Sequence, residues 1–251
     1  MISRRELERY QRQILLFLEE GQERLKQSEI FIAGAGGLGC PVAIYLAVAG
    51  IGKITIVDRD IVEQSNLNRQ ILHYDRDIGR EKSSSIAEKL TEINPDTEVN
   101  AITAAIGEKN VSKLVGNADG IVDALDNFPA RYILNRAALE KKIPLFHGAI
   151  QGFFGQATTI IPDKTPCLAC IFPKAPPEEV SPVVGTTPGV IGAIQATEVI
   201  KYLVKDGDLL ANRLFIWDGK ASRAEEMAVE RNPACPVCST SKNTTMHKRV
   251  R

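Results

Sequence analysis

Neither sign of charge is in excess in this 251-residue sequence: 31 Lys and Arg stand against 31 Asp and Glu. A chain whose main task is to coat nucleic acid or an anionic membrane carries a positive surplus. The balance argues against that class and leaves room only for a local basic pocket. Cysteine is sparse, at five residues, far short of a disulfide-dense mini-protein. Internal repeats and low-complexity tracts are missing. The opening MISRRELERYQRQILLF has no apolar stretch followed by a small-residue cleavage site, so a cytoplasmic protein is expected. One uncharged stretch, residues 30–52, exceeds the roughly 18 residues at which a membrane span becomes a candidate. Gly34, Gly36, Gly37, Gly39 and Pro41 interrupt it near its start. It reads instead as a buried strand, a glycine turn and a buried helix. What is present is an ordinary globular balance, 44% apolar and 25% charged, in a chain long enough to bury a core unaided.

Strands alternating with helices dominate the first half. Residues 29–33 (EIFIA), a short apolar run closed by glycines, predict a buried parallel strand. A helix over 38–48 follows, with Pro41 in or near its first turn, where a missing N–H costs little. Further strands are predicted at 53–57, 97–101, 120–123 and from 144, with helices at 80–93, 108–115 and 128–141. This alternation predicts an α/β fold, a Rossmann-like and mostly parallel sheet with helices on both faces. The second half departs from it. Strands at 156–162, 214–217 and 224–229 predict an antiparallel extension, and Ile191, Ile194, Val199 and Leu203 give a helix over 189–204 its apolar face. Residues 173–188 hold five prolines in sixteen positions and predict a long irregular crossing segment.

The chemistry begins at Gly34-Ala35-Gly36-Gly37-Leu38-Gly39, a GxGxxG spacing between a predicted strand and a predicted helix. Glycines let the backbone turn sharply and approach a ligand, while free N–H groups at a helix start face an anion. Asp58, 19 residues beyond Gly39 at the end of the next strand, is placed to hold ribose hydroxyls. Alone, the pattern indicates a nucleotide, with a dinucleotide dehydrogenase as the default and a ligand-free tight turn as the bland alternative. The following stretch, DRDIVEQSNLNRQ, argues against that default. It sets Asn66, Arg69 and Gln70 directly past the Asp58 strand, and Lys82 opens the next helix. Backbone N–H groups suffice for the pyrophosphate of a nicotinamide cofactor. A triphosphate with a leaving pyrophosphate calls for Arg and Lys clamps. Their ordinary alternative is a solvated surface.

Four of the five cysteines form two CxxC pairs, Cys167/Cys170 and Cys235/Cys238. Four thiolates match a tetrahedral, closed and structural zinc site that would staple the chain's C-terminal part to the crossing segment. Two disulfides are the competing account, disfavoured in a reducing compartment. A thioredoxin-like role would need only one CxxC and a compatible βα element. Cys40 reads as a small buried apolar residue. His73, His147 and His247 do not cluster in sequence and take no catalytic role; a structural hydrogen bond is expected of His73.

Taken in order, GAGGLG, VDRDIVEQSNLNRQ, GREK, Leu125-Asp126-Asn127 and the paired CxxC sites resemble the ThiF/MoeB/HesA-type adenylyltransferases, prokaryotic relatives of ubiquitin-activating enzymes. The resemblance runs from about Glu8 to Cys238. It implies that ATP lies on Gly34, Gly36, Gly37 and Gly39 with its ribose on Asp58. Asn66, Arg69 and Lys82 would contact the phosphates, and Asp60, Asn68 and Gln70 complete the nucleotide-binding set. Asp126 would position Mg²⁺ with Asn127 nearby. Arg12 would enter the ATP site of a neighbouring subunit, making a homodimer and completing a catalytic group of Arg12, Arg69, Lys82 and Asp126. Residues 1–28 would be a helical arm, 29–240 one nucleotide-binding domain, and 241–251 a flexible tail.

The implied reaction is adenylation of the C-terminal glycine of a small ubiquitin-like sulfur carrier ending in Gly-Gly, serving molybdopterin, thiamine or tRNA thiolation. Residues 173–188 hold no cysteine, so a covalent thioester step is not expected. Sulfur would come from a separate sulfurtransferase. Two other readings are a carboxylate on a modified tRNA base, disfavoured by the neutral charge, and an inactive scaffold. Retention of Arg12, Arg69, Lys82 and Asp126 together opposes the scaffold. No nucleic-acid or membrane partner is expected.

Overall fold

The structure, a computed structural model, describes residues 2–175 and 182–239. Two helices come first, α1 (Arg4–Arg9) and α2 (Gln11–Gln27). Ser3 and Glu6 cap α1 reciprocally, each side chain accepting the other's backbone N–H. Inside α2, Phe17 and Leu18 leave helical geometry, with Leu18 at φ 61°.

Next come β1 (Glu29–Ala33), α3 (Gly39–Ala49), β2 (Lys53–Asp58), α4 (Lys82–Ile93), β3 (Glu98–Thr103), α5 (Val111–Val115), β4 (Gly120–Asp123), α6 (Phe128–Lys141) and β5 (Leu145–Gln151). These strands are parallel, in the order β3-β2-β1-β4-β5. The chain then continues through β6 (Phe154–Ile160), α7 (Leu168–Ile171), α8 (Thr186–Val204), β7 (Arg213–Asp218) and β8 (Arg223–Ala228). Strands β6, β7 and β8 extend the same sheet antiparallel from β5, giving eight strands in all.

The strand periodicity of two sorts the core between two faces. Ile30 and Ile32 of β1 pack with α3, α4 and α8, whereas Phe31 and Ala33 pack with α5, α6 and α7. A strand buried on both sides must be apolar throughout, which is why EIFIA shows no alternation. No helix among the described residues is long and apolar enough to cross a membrane.

The expected α/β sheet with an antiparallel extension is what the structure shows, with small shifts of boundary. Helix α4 starts at Lys82 rather than residue 80, because Glu81 is extended and Arg80 turns back to Asp77. Strand β6 ends at Ile160, where the Thr165 hydroxyl accepts the Ile161 N–H and folds the chain into a turn. Helix α8 begins at Thr186, three residues early, since Pro188 still falls in its first turn. Of the crossing segment, residues 176–181 lie outside the described residues, as does the tail 241–251.

In this strand order the chain passes from one side of β1 to the other at β4. Ligands of open α/β sheets bind at that reversal, beyond the carboxyl ends of the strands.

Candidate functional site

The loops leaving β1, β2 and β4 meet at that edge. Gly34 has φ +103°, and a Cβ there would lie 2.6 Å from the Ala124 carbonyl oxygen. A Cβ on Gly39 would lie 2.0 Å from the Gly34 carbonyl oxygen. Glycine is therefore required at both ends of the turn, by conformation at one and by close approach at the other. Asp58 accepts the Ala35 N–H on Oδ2 at 2.7 Å and the Asp60 N–H on Oδ1 at 2.8 Å. A carboxylate offers about four acceptor positions, so room remains for hydroxyl groups. The N–H groups of Gly36, Gly37 and Leu38 have no backbone acceptor among the described residues. Successive free N–H groups at a helix start make a concavity suited to an anion.

Residues 64–70 form the adjoining wall. Asn66 is buried, and its carbonyl accepts the N–H groups of Arg69 at 3.1 Å and Gln70 at 3.0 Å. Half-buried Arg69 runs its stem beside Gly37, its Cγ 3.7 Å from the point a Gly37 Cβ would occupy. Its guanidinium donates to the Ser65 carbonyl at 2.8 Å and to Asn68 Oδ1 at 3.0 Å. The Gln70 amide faces Gly36, and its buried Oε1 has no partner among the described residues. A buried acceptor left open marks a position where a ligand or water supplies the donor. Lys82 is only 7% exposed, and its Nζ reaches Asp60 Oδ2 at 3.4 Å. A buried ammonium held by one long, partly solvated contact is costly, and an anionic ligand would offset the cost.

On the β4 loop, exposed Asp126 receives a hydrogen bond from Asn127 Nδ2 at 3.2 Å. Asn127 Oδ1 caps α6 by accepting the Ala130 N–H at 3.0 Å. Arg131 Nη2 fixes the loop from beneath, donating to the Leu125 carbonyl at 2.6 Å. Asp126 Oδ2 has no partner among the described residues, so this carboxylate is the right donor type for a hard cation such as Mg²⁺. The fourth side is closed by the end of the crossing segment. A Cβ on Gly185 would fall 2.4 Å from the Asn68 carbonyl oxygen, and Pro188 lies against Gly37.

Thus Gly34, Gly36, Gly37, Gly39, Asp58, Asp60, Asn66, Asn68, Arg69, Gln70 and Lys82 share one edge of the sheet, with Asp126 and Asn127 on the neighbouring loop. Arg12 stands apart, exposed on α2 and paired with none of the described residues. Two features had no spacing to announce them. His73, for which a structural hydrogen bond is expected, makes it to the turn itself, with Nε2 2.9 Å from the Ala35 carbonyl oxygen. At the end of β4 and within β5, fully buried Asp123 and His147 pair through Oδ2 and Nδ1 at 2.7 Å, with Arg131 Nε 3.7 Å from the same oxygen.

A separate constellation lies across α6 from this edge. Cys167, Cys170, Cys235 and Cys238 place their sulfurs within 4.8 Å of one another. The separations are 3.9 Å for Cys167–Cys170, 3.7 Å for Cys167–Cys235 and 3.5 Å for Cys170–Cys238. Four thiolates at about 2.3 Å from a tetrahedral ion stand roughly 3.8 Å apart. A disulfide needs about 2.05 Å, and all five cysteines are free thiols. The donors therefore fit a metal ion and not two disulfides. Burial pushes the Cys167 and Cys170 thiols up. Cys235 is held down at about 7 despite its burial, because the Cys238 and Val237 N–H groups donate to its sulfur. Helix α6 links the cluster to the β4 loop: Asn135 Oδ1 accepts the Leu168 N–H at 2.9 Å and Tyr132 donates to the Phe172 carbonyl at 2.7 Å.

The comparisons with known proteins agree with this geometry. A SAMP-activating enzyme E1 from Haloferax volcanii is 44% identical over 241 residues, covering 93% of this chain and 89% of that protein. A sulfur carrier protein adenylyltransferase from Thermus thermophilus is 40% identical over 249 residues, covering 94% and 92%. The crystal structure of E. coli MccB with ATP superposes at a TM-score of 0.81 and 26% identity, over 92% of this chain and 74% of that one. The ThiF family pattern spans residues 10–237, more than nine-tenths of the sequence, and the chain belongs to the ThiF family.

Proposed function

We propose that this chain adenylates the C-terminal glycine carboxylate of a small ubiquitin-like sulfur carrier protein, consuming ATP and releasing pyrophosphate. The observation that carries the reading is the union of three open N–H groups with Arg69 and buried Lys82 at the strand-order reversal. That edge is charged for a polyphosphate, and relatives of near-equal length are named for adenylation or carrier activation.

The chemistry needs little beyond holding. A terminal carboxylate is already ionised at neutral pH, so no general base is required. One of its oxygens attacks the α-phosphorus, the bond to the bridging oxygen breaks, and pyrophosphate leaves with the electron pair. The product is an acyl-adenylate. Asp58 holds the ribose, the 34–39 turn seats the phosphates, and Asn66, Arg69 and Lys82 offset charge that grows toward the leaving group. Asp60, Asn68 and Gln70 line the same wall. Asp126 would hold Mg²⁺, with Asn127 orienting it, and the ion would supply further neutralisation of phosphate charge. Arg12, exposed on α2, would serve the ATP site of a second copy, making the working unit a homodimer. The four cysteines would hold a structural Zn²⁺. Sulfur would then be delivered in the cytoplasm by a separate sulfurtransferase.

The deciding experiment is ATP–pyrophosphate exchange, run with each small Gly-Gly-ending protein of the same organism. Exchange with one carrier, and none with its tail-truncated form, is the expected result. Exchange absent with every carrier would refute the reading. A modified tRNA that drives exchange alone would replace it.

A further inference from the structure

The residues at the phosphate-facing edge come from three separate pieces of chain: the 34–39 turn, the 64–73 loop and the start of α4. One side chain touches all three. His73 is 3% exposed and lies four residues beyond Arg69 on the same loop. Its Nε2 is 2.9 Å from the Ala35 carbonyl oxygen in the turn. Its Nδ1 is 2.9 Å from the hydroxyl of Ser85, on α4 three residues after Lys82. Ser85 in turn accepts a hydrogen bond from Lys89 Nζ at 2.8 Å, and Lys89 is anchored by an ion pair to fully buried Asp77.

The chemistry of these groups leaves one arrangement of protons. A carbonyl oxygen can only accept, so Nε2 must carry the hydrogen. Nδ1 of the neutral ring is then an acceptor, and the Ser85 hydroxyl donates to it. Lys89 has only donors, and fills an acceptor position on Ser85. Burial, reinforced by the nearby Lys82 and Lys89 charges, keeps the imidazole below its ordinary range and therefore neutral, against the opposing pull of Asp77 and of the Ala35 carbonyl. The chain of bonds runs in one direction, from ammonium to hydroxyl to imidazole to the turn.

What the last bond does follows from peptide geometry. In a planar trans peptide the C=O and the next N–H point in opposite directions. Holding the Ala35 carbonyl back toward His73 turns the Gly36 N–H the other way, away from the imidazole. That N–H is the first of the three without an acceptor. The peptide on the other side of Ala35 is fixed as well, its N–H bound by Asp58.

We propose that His73 is a positioning residue for the nucleotide. Its Nε2–H, ordered by Ser85 and Lys89, sets the orientation of the Gly36 N–H that donates to a phosphate oxygen and locks the Arg69 loop and the Lys82 helix to the turn. This inference rests on the adenylation reading, through the ATP that the turn would seat.

Two kinds of measurement test it. Nitrogen-detected NMR of the imidazole at pH 7.5 should report the neutral ring with hydrogen on Nε2; an Nδ1–H ring or an imidazolium overturns the proposal. In calorimetry with ATP alone, His73→Leu should weaken binding about tenfold, the effect of misaligning roughly one charge-assisted hydrogen bond to a phosphate. His73→Gln, which keeps an N–H in reach of Ala35, should recover most of that affinity. Ser85→Ala should weaken binding several-fold in the native background and add little on top of His73→Gln, because an amide has no tautomer to be set. Equal weakening in His73→Leu and His73→Gln, or additive effects with Ser85→Ala, would reduce His73 to a packing residue and overturn the proposal. Should His73→Leu lower Tm, ATP affinity is read well below its transition, and wild-type affinity there is equally fatal. Wild-type protein that neither binds ATP nor exchanges pyrophosphate sinks the adenylation reading first, a result distinct from a wild type that exchanges while His73→Leu binds normally.

Discussion

The two functional constellations are built on opposite plans. The glycine-turn edge draws most of its residues from 34–82, successive pieces of chain pinned by hydrogen bonds between neighbouring elements. The four-cysteine cluster joins positions 68 residues apart, Cys167 to Cys235 and Cys170 to Cys238. It is flanked by short segments, α7 of four residues and the turn around Cys235, that join the core beside α5 and α6 through Leu168 and the cysteines themselves. A site made of local turns and buried strands is held by its own backbone. A site that gathers distant pieces must be held by whatever joins them, and a metal ion on the four sulfurs would be that joint.

Removing the joint should therefore produce the largest effect. Cys235→Ser, or a strong chelator on the wild type, is expected to lower Tm by about 10 °C or more, at roughly 2–4 °C per kcal/mol for a chain of this size. Hydrogen exchange would show where the weakening falls. Protection should drop in α7, β7 and β8 and persist in β1, β2 and α3. A uniform drop would break the comparison, because it would make the cluster part of the central core. Metal content is measured on the same samples, and one zinc per chain is the expected value.

Next in size is the turn itself. In Gly39→Ala the new Cβ would meet a backbone oxygen that cannot move without dislodging β1, so stability should fall by roughly 3 kcal/mol together with ATP affinity. Gly36→Ala is the internal control. Its Cβ would meet only Gln70 Nε2 at 3.6 Å, an ordinary contact, so stability should hold while nucleotide affinity falls. A Gly39→Ala protein as stable as wild type would show that the turn is softer than its close approaches indicate.

Legibility follows the same division. Strand β1, strand β4 and helix α6 lie where the sequence places them to the residue, because each is bounded by a glycine, an asparagine cap or a proline that acts locally. The convergence of residues 34–82 on one edge is legible because a strand, a glycine turn and a helix succeed one another along one stretch. The start of α8 and the end of β6 fall two or three residues from their expected positions, since Thr165 closes a local turn on Ile161 and Gly185 packs against Asn68, contacts that no apolar spacing records. His73 carries no sign of its link to Ala35, 38 residues earlier, and neither does the pairing of Asp123 with His147. A lone histidine in a sequence gives its identity and nothing of its partner.

The cations sharpen the comparison from the side of function. Arg69→Ala and Lys82→Ala should each lower ATP–pyrophosphate exchange about 10²-fold, comparable with removal of one electrostatic donor at a phosphoryl-transfer centre. Their stabilities should differ. Arg69 gives up hydrogen bonds to Ser65 and Asn68, whereas Lys82 gives up one long ion pair and the cost of a buried ammonium. Lys82→Met is thus expected to raise Tm slightly while exchange collapses, a sign that this position is held for its ligand and not for the fold. Unchanged exchange in both variants would refute the assignment.

The smallest effect is one of proton uptake. Burial holds the His73 and His147 imidazoles below the ordinary value of 6.5, so the unfolded chain takes up each proton first. Each histidine then contributes stability that is fully present above pH 6.5 and declines as pH falls below it, by at most about 1.4 kcal/mol per pH unit. The surroundings differ, however. At His73 the lysines Lys82 and Lys89 add to the burial, against the Ala35 carbonyl and Asp77; at His147 Arg131 adds to it, against the Asp123 carboxylate 2.7 Å away. Urea unfolding at pH 7.5, 6.5 and 5.5 should therefore show stability falling with pH, along a slope that His73→Gln and His147→Gln each flatten. A slope that neither substitution changes would mean that these imidazoles take up protons alike in the folded and unfolded chain.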